Sequence, residues 1–139
     1  MPVGQLVRHD AKQSMRRCGG LDMQIRRASS SDAEQIVALI DMVFGLERGQ
    51  EWFDHFHRCN PAGKSIMFVA EDDSGRVVSY RSIVSFTASY MGNRIRCGQL
   101  SDACTHPDYR GMGLYGKVNR SAIDEFFLLG GDLVRISGQ

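Results

Sequence analysis

The residues best placed to do chemistry lie in one run: Ala103-Cys104-Thr105-His106-Pro107-Asp108-Tyr109-Arg110-Gly111-Met112-Gly113-Leu114-Tyr115-Gly116. It sets a glycine-rich turn between a strand-like segment and a helix-like one. A helix start leaves backbone N–H groups unpaired, and the macrodipole adds partial positive charge there. Glycines remove the side chains that would hold an anion away, and Arg110 adds a cation suited to phosphate oxygens. The run therefore reads as a cradle for a phosphate or pyrophosphate. Two other phosphate motifs do not apply. No GxxxxGK[ST] string exists. Gly111 to Gly116 does spell GxGxxG, but a dinucleotide turn belongs in the first βαβ unit, with an acidic residue about 20 positions on. Here the turn follows a meander late in the chain, and Asp132, at about that spacing, only precedes the last strand.

Other reactive side chains carry less. Cys18, Cys59, Cys97 and Cys104 form no CxxC pair, and Cys97, Cys104 and His106 match no common zinc spacing. No metal site is expected. Reduced thiols in a cytoplasmic protein are the default for such a pattern. His55 and His57 are two residues apart and point to different sides of a helix; both read as helix-surface residues.

These groups need elements to position them. Met23 to Ala28 alternates as a short strand. Ser31-Asp32-Ala33-Glu34 fits a capping box, and Ile36, Val37, Ile40, Val43 and Phe44 follow at helical spacing up to Gly45. Gln50 to Cys59 reads as a second, shorter helix with Trp52, Phe53 and Phe56 on one side, stopped before Pro61. Three strands follow: Ile66–Ala70, about Arg76–Tyr90, and Ile95–Thr105. Asp72-Asp73-Ser74-Gly75 and Gly92-Asn93 are the turns between them, so the three should form an antiparallel meander. A helix from about Gly113 to Leu129 ends at Gly130-Gly131, and Leu133 to Ile136 starts a last strand. The order is β-α-α-β-β-β-α-β, an α+β chain with a mixed sheet.

The bulk properties agree. The 139 residues fit one domain of ordinary globular composition, 42% hydrophobic and 24% charged. Residues 1–22 read as a flexible basic arm, and 23–139 as the domain. A net charge of +1 offers none of the basic excess of a nucleic-acid binder. No apolar run approaches the ~20 residues of a membrane span, and the N-terminus lacks the apolar stretch of a secretory signal.

The run from His106 to Gly116 resembles the acetyl-CoA motif of the GNAT superfamily of N-acetyltransferases. That signature is Gln or Arg, two residues, Gly, one residue, then Gly or Ala; Arg110, Gly113 and Tyr115 take those positions, and Tyr115 departs from the pattern. The element order from Met23 through Ile136 is also similar to the family's N-terminal two-thirds. The resemblance implies a GNAT-like fold lacking the usual last helix and final two strands, and acetyl-CoA as cofactor. It implies that Ala103, Cys104 and Thr105 bond the pantetheine arm through main-chain atoms. Arg110, Gly111, Met112, Gly113, Leu114, Tyr115 and Gly116 would hold the pyrophosphate.

Direct acetyl transfer to an amine is expected, not an acyl-cysteine at Cys104. Some relatives carry a glutamate base where this chain has Gln99, which cannot accept a proton; Asp102 is the nearest carboxylate and the candidate catalytic residue. The tyrosine acid of many relatives lies on a later helix that this sequence does not reach. The acceptor would be an amine of a small molecule or protein, with no nucleic acid or membrane partner. The alternative is a CoA-binding or assembly module without activity. The last strand, open on its far side, points to a homodimer or strand-exchanged assembly.

Overall fold

A computed structural model describes residues 23–136; the expected N-terminal arm, residues 1–22, lies outside them. One five-stranded sheet carries the chain in the order β1-β2-β3-β4-β5. The strands are β1 (Gln24–Arg27), β2 (Ile66–Glu71), β3 (Val77–Tyr90), β4 (Asn93–Thr105) and β5 (Leu133–Ile136). The first four are antiparallel neighbours, and β5 runs parallel to β4. The helices are α1 (Ala33–Phe44), α2 (Gly49–Phe53, continued by a π turn over Asp54–Arg58) and α3 (Leu114–Leu128). The expected α+β order is the one observed. Among the described residues no helix is long and apolar enough to cross a membrane.

Each face of the sheet is covered by helix, which is why its inner strands are apolar and not strictly alternating. On one face Ala33, Ile36, Val37 and Ile40 of α1 and Phe53 of α2 pack against Val69, Val77, Tyr80 and Cys104. On the other, Leu114, Val118, Ala122 and Phe126 of α3 recur every fourth residue and meet Ala70, Val78, Ile83 and Leu100. A lone 15-residue helix is marginal in water, so this packing holds α3. Each such fully buried large side chain contributes about 1.5–3 kcal/mol.

Four local expectations are corrected. The capping box is formed by Ser29 and Asp32, not Ser31 and Glu34: the Ser29 N–H donates to Asp32 at 2.7 Å. Asp32 is drawn there by Arg26, which pairs with it at 2.7 Å and with Glu71 at 2.8 Å. The β3–β4 turn is Met91-Gly92, both at positive φ, the geometry that matches strand twist in a two-residue hairpin; Asn93 is already in β4. His57 is fully buried instead of lying on the helix surface, because it stands four residues after buried Phe53 and shares its inward face. His55 stays exposed. Of the aromatic stripe only Phe53 is core; Trp52 and Phe56 stack on each other nearer the surface.

Candidate active site

The site starts from an irregularity in the sheet. Tyr80 pairs with Cys104 and Ser82 with Ser101, so Arg81 on β3 faces both Asp102 and Ala103 on β4. Such a bulge bends a strand and re-aims its side chains. Asp102 consequently has φ +52, left-handed backbone that Asp and Asn tolerate better than most residues. Two serines brace the bulge from β3: Ser79 Oγ donates to the Cys104 carbonyl at 3.2 Å and Ser82 Oγ to that of Ser101 at 2.9 Å.

The bulge turns the Asp102 carboxylate toward α2. His57 Nε2 lies 3.6 Å from Oδ2, and Arg48 Nη1 lies 3.4 Å from Oδ1. His57 is wedged among Trp52, Phe53 and Phe56, with Nδ1 2.9 Å from Ser65 Oγ. Arg48 stacks over Trp52 at 4.3 Å. Burial pushes the Asp102 carboxyl upward, but His57 and Arg48 outweigh it and hold the group below the ordinary carboxylate range. Asp102 is an anion at neutral pH. Cys104, two residues on, is buried in the α1 face, and burial pushes its thiol up to about 12. A thiol so protonated is a poor nucleophile.

Asp102 opens into a cavity of about 670 Å³ lined by Phe44, Leu46, Arg48, Arg81, Leu100, Ser101, Asp102, Ala103, Tyr115 and Ile136. The cavity reaches both helical layers, since Phe44 ends α1 and Tyr115 lies in the first turn of α3. It lies where β4 and β5 part. Their pairing runs from Cys97↔Leu133 to Leu100↔Ile136; among the described residues nothing pairs with Ser101–Thr105 on that side.

At the end of β4 the chain turns through Pro107–Tyr109 into α3. His106 caps that turn, its Nδ1 accepting the Asp108 N–H at 3.1 Å, as its place before Pro107 suggests. Gly113, at φ +73, is the N-cap of α3 and offers no side chain to its N–H groups. A Cβ at Gly111, Gly113 or Gly116 would meet only open space. The first turn of α3 thus presents free donors to an unobstructed region.

The sequence-derived set divides in this geometry. Asp102, Ala103 and Tyr115 line the cavity, and Gly111, Gly113 and Gly116 frame the open helix start. Arg110 is exposed and folds back, Nε donating to the Thr105 carbonyl at 3.3 Å. Leu114 is core and Met112 packs beside it, so only their backbones face the turn. Thr105 is half-buried, its hydroxyl 2.9 Å from that of Ser79. Gln99 stays in the sheet, paired with Val84 and Arg135 and outside the cavity lining. Sequence reasoning missed Arg48, His57 and Arg81. Arg81 had a signal: a lone cation inside a strand otherwise made of apolar and hydroxyl residues. Arg48 had none.

Comparison with known proteins agrees with this architecture. Residues 24–131 match the acetyltransferase (GNAT) domain. The chain belongs to the GNAT acetyltransferase family. Solved structures share the GNAT fold at low identity. An acetyltransferase of Trypanosoma brucei superposes with a TM-score of 0.68 at 18% identity, covering 85% of this chain and 84% of that one. Glucosamine-6-phosphate N-acetyltransferase of Arabidopsis thaliana gives 0.66 at 18%, with 84% and 82% covered. A predicted acetyltransferase of Clostridium acetobutylicum, solved with acetyl-CoA, gives 0.66 at 17%, with 84% and 81% covered. No curated protein sequence matches the chain.

The GNAT domain's own geometry fits a CoA thioester in three respects. The start of α3 is uncapped, its three glycines leave space in front of it, and among the described residues no strand pairs with Ser101–Thr105 on the β5 side, where Ser101–Ala103 line the cavity. A diphosphate suits the first feature and an extended amide arm the last.

Proposed function

We propose that the chain is an acetyl-CoA-dependent N-acetyltransferase acting on a primary amine of a small molecule or protein. The observation that carries this reading is a cavity lined both by the ionised Asp102 of a bulged strand and by Tyr115, in the first turn of an uncapped, glycine-framed helix. When bound, acetyl-CoA supplies an activated acetyl thioester. The N–H groups of Gly113 to Gly116, with Arg110 near them, hold the diphosphate. The main chain of Ala103, Cys104 and Thr105 holds the pantetheine arm. Asp102 receives the amine proton, and a positioned base of this kind contributes about 10²–10⁴-fold. Buried, protonated Cys104 supports direct transfer. The free thiols of Cys59, Cys97 and Cys104 suit a reducing cytoplasmic setting.

A thiol-release assay with acetyl-CoA over a panel of amines tests the reading: amine-dependent CoA release is expected, and none from any amine contradicts it. A second reading, a module that holds CoA without turnover, is favoured by one observation. Arg48 lies against Asp102 Oδ1 and competes with an incoming amine for that oxygen. CoA binding with no release in that assay selects this reading.

The partner we propose is a second copy of the chain. The outer edge of β5 has no neighbour among the described residues, and Leu133 and Ile136 stand exposed beside it at 52% and 75%. An open apolar edge invites strand pairing. Light scattering at micromolar concentration should report a dimer, and a monomer rejects the arrangement.

A further inference from the structure

Arg81 is a buried cation with no ion-pair partner among the described residues; Asp102 favours its charge only from a distance. Only 8% of the residue is exposed. Its Nε donates to Asn119 Oδ1 at 3.0 Å, and its guanidinium lies 5.6 Å from the centre of the Tyr115 ring. Neither contact brings negative charge. Among the described residues no carboxylate lies within 4 Å, and neither Nη makes a hydrogen bond. A charge so largely taken out of water is costly to leave without a close partner, and this side chain lines the cavity.

The cavity sharpens the point. Its lining holds two guanidiniums, Arg48 and Arg81, and a single carboxylate, Asp102. Arg48 already lies against that carboxylate, as does the ring of His57. Arg81 is the excess charge. It stands across the bulge from Asp102 and Ala103, level with the candidate proton acceptor along the strand. The acetyl group is uncharged and a simple amine arrives as a cation, so neither would balance it.

We infer that Arg81 is the anchor of a carboxylate-binding subsite in the reaction cavity, filled by a carboxylate that one of the two substrates carries. This rests on the transferase reading above. The carboxylate belongs either to the acceptor, making it an amino acid or a peptide-like zwitterion, or to the acyl group, making the thioester a dicarboxylic one. In both cases the guanidinium fork offers paired donors to two oxygens. Asn119 holds Nε and thereby fixes the direction in which the remaining donors face.

Calorimetry separates the sources with two matched pairs. Succinyl-CoA and butyryl-CoA are titrated into the free protein; N-acetylglycine and N-acetylglycinamide are titrated into the CoA-loaded protein. The carboxylate member of one pair should bind about 10- to 100-fold more tightly, and the pair that shows it names the source. Arg81→Met should reduce that preference to within about threefold, with Arg81→Lys intermediate. The wild-type comparison is decisive even if a variant folds poorly. Equal affinity within both pairs overturns the subsite, and leaves the transferase reading standing if acetyl-CoA binds and is turned over. If Arg81→Met weakens CoA itself by the same factor, the guanidinium serves the diphosphate and the inference is overturned. Failure of the wild-type chain to bind acetyl-CoA removes both readings.

Discussion

Asp102 concentrates the chemistry of the site in one residue. Its left-handed backbone, at φ +52, is strain of a kind held only where the surrounding structure requires it. Here a bulge braced by Ser79 and Ser82 supplies that requirement. Asn adopts the same backbone with little cost and cannot take a proton, so Asp102→Asn separates fold from chemistry. The expected result is a kept fold, a modest fall in melting temperature from the lost pairing with Arg48 and His57, and kcat lowered about 10²- to 10⁴-fold. An unaltered rate would move the base elsewhere. Asp102 was legible as the carboxylate nearest the expected acetyl position, but its partners were not. His57 shares the inward face of α2 with Phe53, four residues before it, but nothing local says which strand that face meets, and Arg48 comes from the loop between two helices. Both are brought to Asp102 by tertiary packing across about 50 residues of chain.

At the scale of elements, β4 does most of the positioning. It pairs with β3 along its length, with β5 over four residues only, and then bends through the bulge into the cradle turn. Its seat against α3 depends on Gly98, where a Cβ would lie 2.5 Å from Ile83 Cγ2 and 2.9 Å from the Phe126 ring. Gly98→Ala should therefore destabilise the protein by about 1–3 kcal/mol through overpacking, a fall in melting temperature that calorimetry reads directly. A neutral result would mean that Phe126 repacks without strain. Sequence reading placed every strand and helix, because apolar runs bounded by Gly, Pro and Asp are strong local signals. It missed what depends on neighbours. The Ser29–Asp32 box is decided by Arg26 on an adjacent strand, and the β4 bulge leaves no mark in the sequence around Asp102. The cradle was legible because glycines report backbone conformation locally: Gly111 and Gly113 both have positive φ.

Taken whole, the molecule is a sheet with a helical layer on each face and a cavity where its last two strands part. Family membership explains the architecture, and low identity to the solved relatives leaves the substrate to be found from this chain's own residues. The glycine-framed start of α3 and the free edge of β4 are proposed to form one cofactor site. Isothermal titration of the purified chain with acetyl-CoA, alongside a Gly113→Val variant, decides it. Valine at φ +73 is strained and fills the space before the helix. Saturable one-to-one binding by the wild-type chain is expected, with a loss of at least about tenfold in the variant. No heat of binding with the wild-type chain, or equal affinity in the two, would contradict it.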